Sequence, residues 1–370
     1  MKRVYISVIN DLATDQRVRR VAIMLLDQGM EVTCIGRRLK NSPGLEHLPY
    51  KSRRYRMLFT SGPFFYACYN IRLFLTLLFV SKPALFISND LDTLPATYIA
   101  AWIRKVRLIY DSHELFTQVP ELIQRKGTQA VWKRIEAIFV PRVSYALTVS
   151  YPIAEIYRRL YKTRFKVVRN VPEIKKAEKS PGIRKEYDGK FIIIYQGALN
   201  VGRGLELMIH AMEFIDNAVF VVAGSGDIDE DLQRLTDEKG LAGRIYFKGR
   251  LLPDELTLLT MSADLGISLE EDRGLNYRYS LPNKLFDYIQ CRIPVLCSAL
   301  PEMSRIVETY GIGIATGEKH PKKLAGIIKY MLEERSSGAW RDALDRAAGE
   351  LCWENESQVY LDLLAECGVL

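Results

Sequence analysis

Two Rossmann-like, doubly wound α/β domains facing a cleft are what this 370-residue sequence predicts, and three observations carry the prediction. Short apolar runs rich in Val, Ile and aromatic residues alternate with amphipathic helical stretches along the chain, the signature of parallel sheets covered by helices. The series stops at 171–189, where charges, two prolines and two glycines replace the apolar periodicity, and then restarts. The length exceeds one ordinary core and suits two domains of roughly 200 residues or fewer each.

In chain order, "VYISVIN" (4–10) reads as a buried strand. Val18, Val21, Ala22, Leu25 and Leu26 then follow at helical spacing, and Gly29 closes that helix. Strands resume at "EVTCIG" (31–36), "ALFIS" (84–88), "RLIYD" (107–111), "ALTVS" (146–150) and "KVVRN" (166–170), completing a first domain over 1–170. Residues 171–189 read as a linker. A second domain over 190–340 carries strands at "KFIIIYQG" (190–197), "AVFVVAG" (218–224), "RIYFKG" (244–249), "DLGISL" (264–269), "IPVLCS" (293–298) and "GIGIA" (311–315). Leu205, Met208, Ile209 and Met212 line one face of its first helix. Residues 341–370 read as C-terminal helices. In open α/β sheets ligands bind beyond the carboxyl ends of the strands, so the loops after the strands are where function is sought.

Charge is unevenly divided: 28 Lys and Arg face 12 Asp and Glu in residues 1–170, against 24 and 32 in 171–370. A basic half attracts polyanions: nucleic acid, anionic lipid or a diphosphate substrate. Nucleic acid is not expected, because no helix-turn-helix, zinc-finger or RNP-type pattern organises base contacts. The six cysteines form no C-x-x-C pair, and the apolar part of "MKRVYISVIND" is too short for a signal peptide, so reduced thiols in a cytoplasmic protein are expected. "FFYACYNIRLFLTLLFV" (64–80) is about 26 Å long as a helix, short of the roughly 30 Å of a bilayer core, with Asn70 and Arg72 near its middle. It reads as a buried or interfacial helix, and both readings stay open. "RRLKNSPG" (37–44) and "YKSRRYR" (50–56) precede it, a basic-then-apolar order that suits an anionic membrane surface.

Two strand-to-helix loops of the second domain are rich in glycine. "QGALNVGRGLE" (196–206) sets Gly197, Gly202, Arg203 and Gly204 at a helix N-terminus, where free amides and the dipole hold anions. "AGSGD" (223–227) repeats the setting. In "YRYSLPNKLFDYIQCRIPVL" (277–296), Pro282 marks the first turn of a helix starting near Ser280 or Leu281. Lys284 and Asp287 share one face of that helix while Leu285 and Ile289 form its buried stripe. A lysine in a first turn opposes the helix dipole, so an anion it serves explains it better than a local ion pair.

"YQGALNVGRGLE", "VVAGSGD", "YFKGRLLPDEL" and "LPNKLFDYIQCRIPVL" together resemble the C-terminal domain of group 1 (family 4) glycosyltransferases, which have the GT-B fold. "VYISVINDLATDQRVRRVA", "IYDSHELF" and "VVRNVPE" resemble its N-terminal half, so the likeness covers nearly the whole chain. The resemblance implies a nucleotide-diphosphate sugar as substrate, no cofactor, no metal, retention of anomeric configuration, and a glycan or lipid-linked acceptor in bacterial cell-surface polysaccharide synthesis. It assigns Arg203 and Lys284 to the diphosphate, with amides of the loop at Tyr279 and Ser280. Asp287 stands where a glutamate holds the ribose; Gly197, Gly224, Gly226, Gly249 and Arg250 fall near the nucleotide. Asn10 and Asp11 occupy the place of a glycine-rich loop facing the diphosphate, and His113 matches a histidine near the donor sugar, against a plainly structural loop histidine. The last helix is expected to cross back onto the N-terminal domain.

The sequence also departs from that pattern. The first glutamate of the E-x7-E motif falls on Tyr279, leaving Asn276 and Tyr277 as candidates for the sugar hydroxyls. Ala198 stands where a basic residue is usual. The Asp90-Leu91-Asp92 triplet, a D-x-D, reads as helix capping rather than a metal site. The departures keep two alternatives open: a non-catalytic sugar-nucleotide-binding subunit, and a sugar-nucleotide epimerase of the same fold.

Overall fold

Seven parallel strands make the first sheet. β1 (Arg3–Asp11), β2 (Glu31–Arg37), β3 (Lys51–Tyr55), β4 (Pro83–Asn89), β5 (Arg107–Ser112), β6 (Tyr145–Thr148) and β7 (Lys166–Val167) lie in the order β3-β2-β1-β4-β5-β6-β7. The second sheet is parallel as well: β8 (Phe191–Gln196), β9 (Ala218–Ala223), β10 (Ile245–Gly249), β11 (Leu265–Ser268), β12 (Val295–Ser298) and β13 (Gly313–Thr316), ordered β10-β9-β8-β11-β12-β13. The computed structural model describes residues 1–40, 42–45, 48–175, 181–187 and 189–370, apart from the side chains of 181 and 182. It divides into one unit of residues 1–170 with 355–370 and another of 171–354.

Strand order reverses between β1 and β4 in one sheet and between β8 and β11 in the other. At such a switch point the connecting helices leave to opposite faces, and a crevice opens beyond the carboxyl ends of the two strands. The side-chain alternation of β8 shows how both faces are covered: Ile192 and Ile194 enter one core with Leu285 and Ile289, while Ile193 and Tyr195 enter the other with Leu205, Met208 and Ile209.

Four features differ from the sequence reading. β3 was not expected, because Lys51, Arg53 and Arg54 conceal it; it is an edge strand, where charged residues are tolerated and block further pairing. Part of the expected linker is core, since Val171 and Tyr187 are buried in the second unit; residues 176–180 and 188 lie outside the described residues. The helix expected from Ser280 or Leu281 runs Asn283–Gln290 with Pro282 as its N-cap. Of the stripe expected in α1 (Gln16–Asp27), Leu26 is only partly buried, whereas Arg17 is fully so.

The apolar stretch forms α2 (Gly62–Phe79), followed after β4 by α3 (Leu94–Arg104). Phe65, Tyr69, Leu73, Thr76 and Leu77 make a buried stripe at helical spacing. Tyr69 donates to the carbonyl of Val8 in β1 at 2.6 Å, and Tyr55 lies 2.5 Å from Thr76 Oγ1. The opposite face leaves Phe64, Ile71, Leu75 and Phe79 exposed. Core packing and an open apolar face thus coexist on one helix.

Candidate active site

The switch point of the second sheet gathers opposite charges in a buried place. β11 ends at Ser268, and two residues on the Glu270 carboxylate is buried. One oxygen accepts from Ser268 Oγ at 2.7 Å; the other accepts from Lys284 Nζ at 2.8 Å and lies 3.6 Å from the Arg203 guanidinium. Burial alone would raise the Glu270 pKa, but Lys284 first, then Ser268 and Arg203, hold it below the usual carboxylate range. Lys284 Nζ also sits 3.9 Å from the centroid of the Tyr195 ring, and Arg203 lies over Tyr277 at 5.0 Å. With two cations on one carboxylate, the cluster keeps one net positive charge in a largely buried setting, Lys284 and Glu270 being buried and Arg203 23% exposed.

The glycine loops close around this cluster. Gly197, at φ +132°, follows β8, and a Cβ on it would meet Lys284 Cε at 3.5 Å. Gly224, at φ +155°, follows β9 so closely that a Cβ there would come within 1.8 Å of the Gly197 carbonyl oxygen. Gly226 presses in the same way against Leu199 and Asn200, and Arg250 Nε donates to Ser225 Oγ at 2.6 Å. One turn along from Lys284, Asp287 accepts from Gln196 Nε2 at 2.8 Å and lies 3.6 Å from Lys175 Nζ; Gln196 is fixed in turn by Thr260.

The first sheet builds a different cluster at its own switch point. Arg17 of α1 is buried and forks onto Asp111 at the end of β5, with contacts of 2.7 and 3.0 Å, while it also donates to the carbonyl of Val168. His113 follows. Its Nε2 is 3.1 Å from Asn89 Oδ1 and 3.7 Å from Asp111, its Nδ1 is 3.3 Å from Asp90, and its backbone N–H donates to Asp90 at 2.8 Å. Asp90 adopts φ +59°, left-handed for a non-glycine residue, in order to make both contacts. Burial opposes charge on the imidazole, but Asp90 and Asp111 outweigh it and raise its pKa to about 9. Asp111 is held well below the usual range by Arg17 and His113 against the pull of burial.

These arrangements can be set beside known proteins. A model of the group 1 glycosyl transferases matches residues 176–348, and one of glycosyltransferase family 4 matches residues 15–172. The chain belongs to the group 1 glycosyltransferases. An uncharacterized glycosyltransferase of Methanocaldococcus jannaschii is 28% identical to it over 152 residues, a match spanning 40% of this chain and 37% of that relative's length. The sucrose-phosphate synthase of Thermosynechococcus elongatus superposes with a TM-score of 0.78 at 18% identity, over 99% of this chain and 100% of that one. HepE of Anabaena, solved in complex with UDP-glucose, gives 0.74 at 16% identity over 100% of both chains. At these identities the likeness concerns the fold, which is GT-B.

In this group 1 glycosyltransferase, Arg203, Lys284, Tyr277, Gly197, Gly224, Gly226 and Arg250 are linked through the contacts above, and Asp287 joins them through Gln196. Gly249 adopts φ +63° with open space around its α-carbon, and its carbonyl accepts from the Gly224 N–H at 2.8 Å. Asn276 is buried in the short helix Leu275–Arg278, Tyr279 caps that helix, and Ser280 Oγ donates back to the Tyr277 carbonyl. Lys284 pairs with Glu270, fourteen positions away, rather than with a neighbour on its own helix.

Asn10 and Asp11 are the last residues of β1, not a loop after it. The Asn10 amide donates to Asp15, while the Asp11 carboxylate takes the Ala13 N–H and the Ser42 hydroxyl and lies 3.8 Å from Arg54. The sequence reading missed Glu270, Asp111 and Arg17, and it took Asp90 for a helix cap, whereas Thr93 is the N-cap of α3 and the Asp90 carboxylate faces His113. Only Arg17 left a trace, as a charge on the apolar stripe of α1.

Proposed function

We propose that this protein is a retaining glycosyltransferase that moves a sugar from a nucleotide-diphosphate donor to a glycan or lipid-linked acceptor in cell-surface polysaccharide synthesis. We place it in the cytoplasm, peripheral on the inner face of the membrane. The observation that carries the donor reading is the pair Lys284 and Arg203 on one buried carboxylate, beside two glycine loops whose backbones nearly touch. A net positive charge out of water attracts a diphosphate far more strongly than the same charge on the surface. The UDP-glucose bound by HepE, on the same fold, supports a nucleotide sugar as the ligand.

In the reaction, the bond from the anomeric carbon to the phosphate oxygen breaks and one to the acceptor oxygen forms on the same face. The acceptor's proton passes to the leaving phosphate. Negative charge grows on that phosphate, where Lys284 and Arg203 stabilise it, so this charge is met by side chains rather than a metal. No paired carboxylates of the hydrolase kind take part. Asp287, oriented by Gln196, serves the ribose hydroxyls; Asn276 and Tyr277 serve the sugar. His113, charged at neutral pH with its pKa near 9, is suited to donating a hydrogen bond to the donor sugar and unsuited to acting as a base.

Thermal-shift titration with UDP, GDP, ADP and CMP, followed by turnover of the matching sugars with the product anomer read by NMR, tests the reading. One nucleotide stabilises the protein, Lys284→Ala and Arg203→Ala lose that response, and the anomer is retained. Unchanged shifts in both variants overturn the phosphate assignment. Tight binding without turnover identifies a binding subunit, and a free epimerised sugar identifies an epimerase.

A further inference from the structure

At the amino ends of β5 and β6, under the last turn of α3, lies a cavity of about 760 Å³. It is at the edge of the first sheet opposite to His113, about 16 Å along β5 at the usual rise per residue. Its walls are mostly apolar, with Tyr98, Leu108 and Val143 among them, and among the described residues no Asp or Glu lines it. Lys105, Arg107 and Arg142 do line it. All three are exposed, and among the described residues none has a carboxylate within ion-pair distance. The neighbouring Glu366, whose carbonyl accepts from Tyr145, has its carboxylate on Lys166 at 2.5 Å.

Lys105, Arg107 and Arg142 bring three positive charges to the walls of one cavity, Arg142 donating also to the carbonyl of Ile138, and that unbalanced charge attracts an anion. The surface around the cavity is apolar as well as basic. Trp102 at its rim is 73% exposed, Ile103 beside it is 47% exposed, and Phe79 is 80% exposed. Arg104 donates to the carbonyls of Leu77 and Val80 at 3.1 and 2.6 Å, so the ends of α2 and α3 that carry Phe79 and Trp102 adjoin. A bare tryptophan among cations and bulky apolar side chains matches the headgroup level of a bilayer, where aromatic rings and basic residues concentrate.

We propose that this cavity seats one anionic phospholipid of a bilayer, its phosphate among Arg107, Arg142 and Lys105 and its first chain carbons along Tyr98, Leu108 and Val143. The lipid holds the α2–α3 face against the membrane, with Trp102 and Phe79 at the interface. The proposal gives the peripheral placement a specific contact and is independent of the donor assignment, which concerns the other sheet.

Co-sedimentation with phosphatidylcholine vesicles, with and without phosphatidylglycerol, tests it on the full chain. Each basic residue near an anionic surface contributes about 1 kcal/mol, or about fivefold in affinity, so Arg107→Ala/Arg142→Ala weakens binding to the anionic vesicles by about 25-fold. Lys322→Ala/Lys323→Ala, which removes equal charge from exposed positions in the second unit, leaves binding nearly unchanged. Trp132 and Trp353 are buried and Trp340 is half-buried against the core of the second unit, so quenching by brominated lipid reports chiefly Trp102 and is largely lost in Trp102→Phe. Short-chain phosphatidylglycerol below its micelle concentration shifts the emission saturably; inorganic phosphate does not. Equal losses in the two double variants, or none in either, overturn the seat. A response to inorganic phosphate matching that to the lipid overturns the lipid and leaves a simple anion site. Donor turnover is retained in all these variants, which confirms that they fold.

Discussion

Removing Lys284 strands Glu270, and that is the most demanding test of the site. Glu270 is buried, with three partners: Lys284 at 2.8 Å, Ser268 at 2.7 Å and Arg203 at 3.6 Å. Breaking a buried pair by deleting one partner costs about 3–5 kcal/mol. Because Ser268 and Arg203 remain, Lys284→Met falls at the lower end, about 3 kcal/mol. For a unit of about 180 residues that lowers its Tm by about 6–12 °C. Glu270→Gln in the same chain removes the stranded charge and recovers most of the loss, so the two substitutions are strongly non-additive. Nucleotide binding behaves differently. Lys284 contributes a charge-assisted hydrogen bond of about 1.5–3 kcal/mol to the phosphate, so affinity drops about 10- to 100-fold in Lys284→Met and stays low in the double variant. Calorimetry gives the stabilities and thermal-shift titration the affinities. A Lys284→Met protein as stable as the parent, or a double variant that regains nucleotide binding, would refute the reasoning.

Two further outcomes follow from the geometry. With a folded pKa near 9 against an ordinary 6.5, His113 contributes stability that is full below pH 6.5 and lost as pH rises through 9, at most about 3 kcal/mol. Its ring carbon should titrate near 9 by NMR and move towards 6.5 in Asp90→Asn; an apparent value between 6 and 7 in the parent contradicts the assigned contacts. Gly224→Ala drives a methyl into the Gly197 carbonyl and should cost more than about 3 kcal/mol together with nucleotide binding, whereas Gly249→Ala meets open space and should cost only about 1–2 kcal/mol of left-handed strain. Equal costs measured by urea denaturation would show that the two glycine loops do not touch.

The sequence made the two-sheet design readable wherever apolar runs are long, as in Phe191–Gln196, because both faces of those strands are buried and every residue carries the signal. β3 was hidden because an edge strand with one half-open face tolerates Lys51 and Arg53. Lys284 stood out through a local conflict, a cation in a first helical turn. Its partner did not, because Glu270 meets it only after β11 pairs beside β8 and turns the chain back. Arg17 and Asp111 are 94 positions apart, and nothing local to either announces the pairing. Sequence reasoning found Lys284 through an anomaly of its own, and it missed Glu270, Asp111 and Arg17, whose partners lie far away in the chain.

The charges of the two clusters also correct a tempting inference from composition. The first 170 residues carry the large positive excess, which would place a polyanion there. Yet at that sheet's switch point Arg17 and His113 are matched by Asp111 and Asp90, and the cluster is neutral. The excess of the first unit lies instead on its surface, at residues such as Arg53, Arg56, Lys105 and Arg107, where it acts over a Debye length on large charged bodies such as a membrane. The second unit falls in the acidic stretch of the chain and still holds the one cluster of the two with a net positive charge, Lys284 and Arg203 on Glu270. For a ligand the size of a diphosphate, a largely buried charge within a few ångströms outweighs screened charges spread over the surface. The net charge of a domain therefore bears on the surface it approaches, and the local imbalance at the switch point on the molecule it holds.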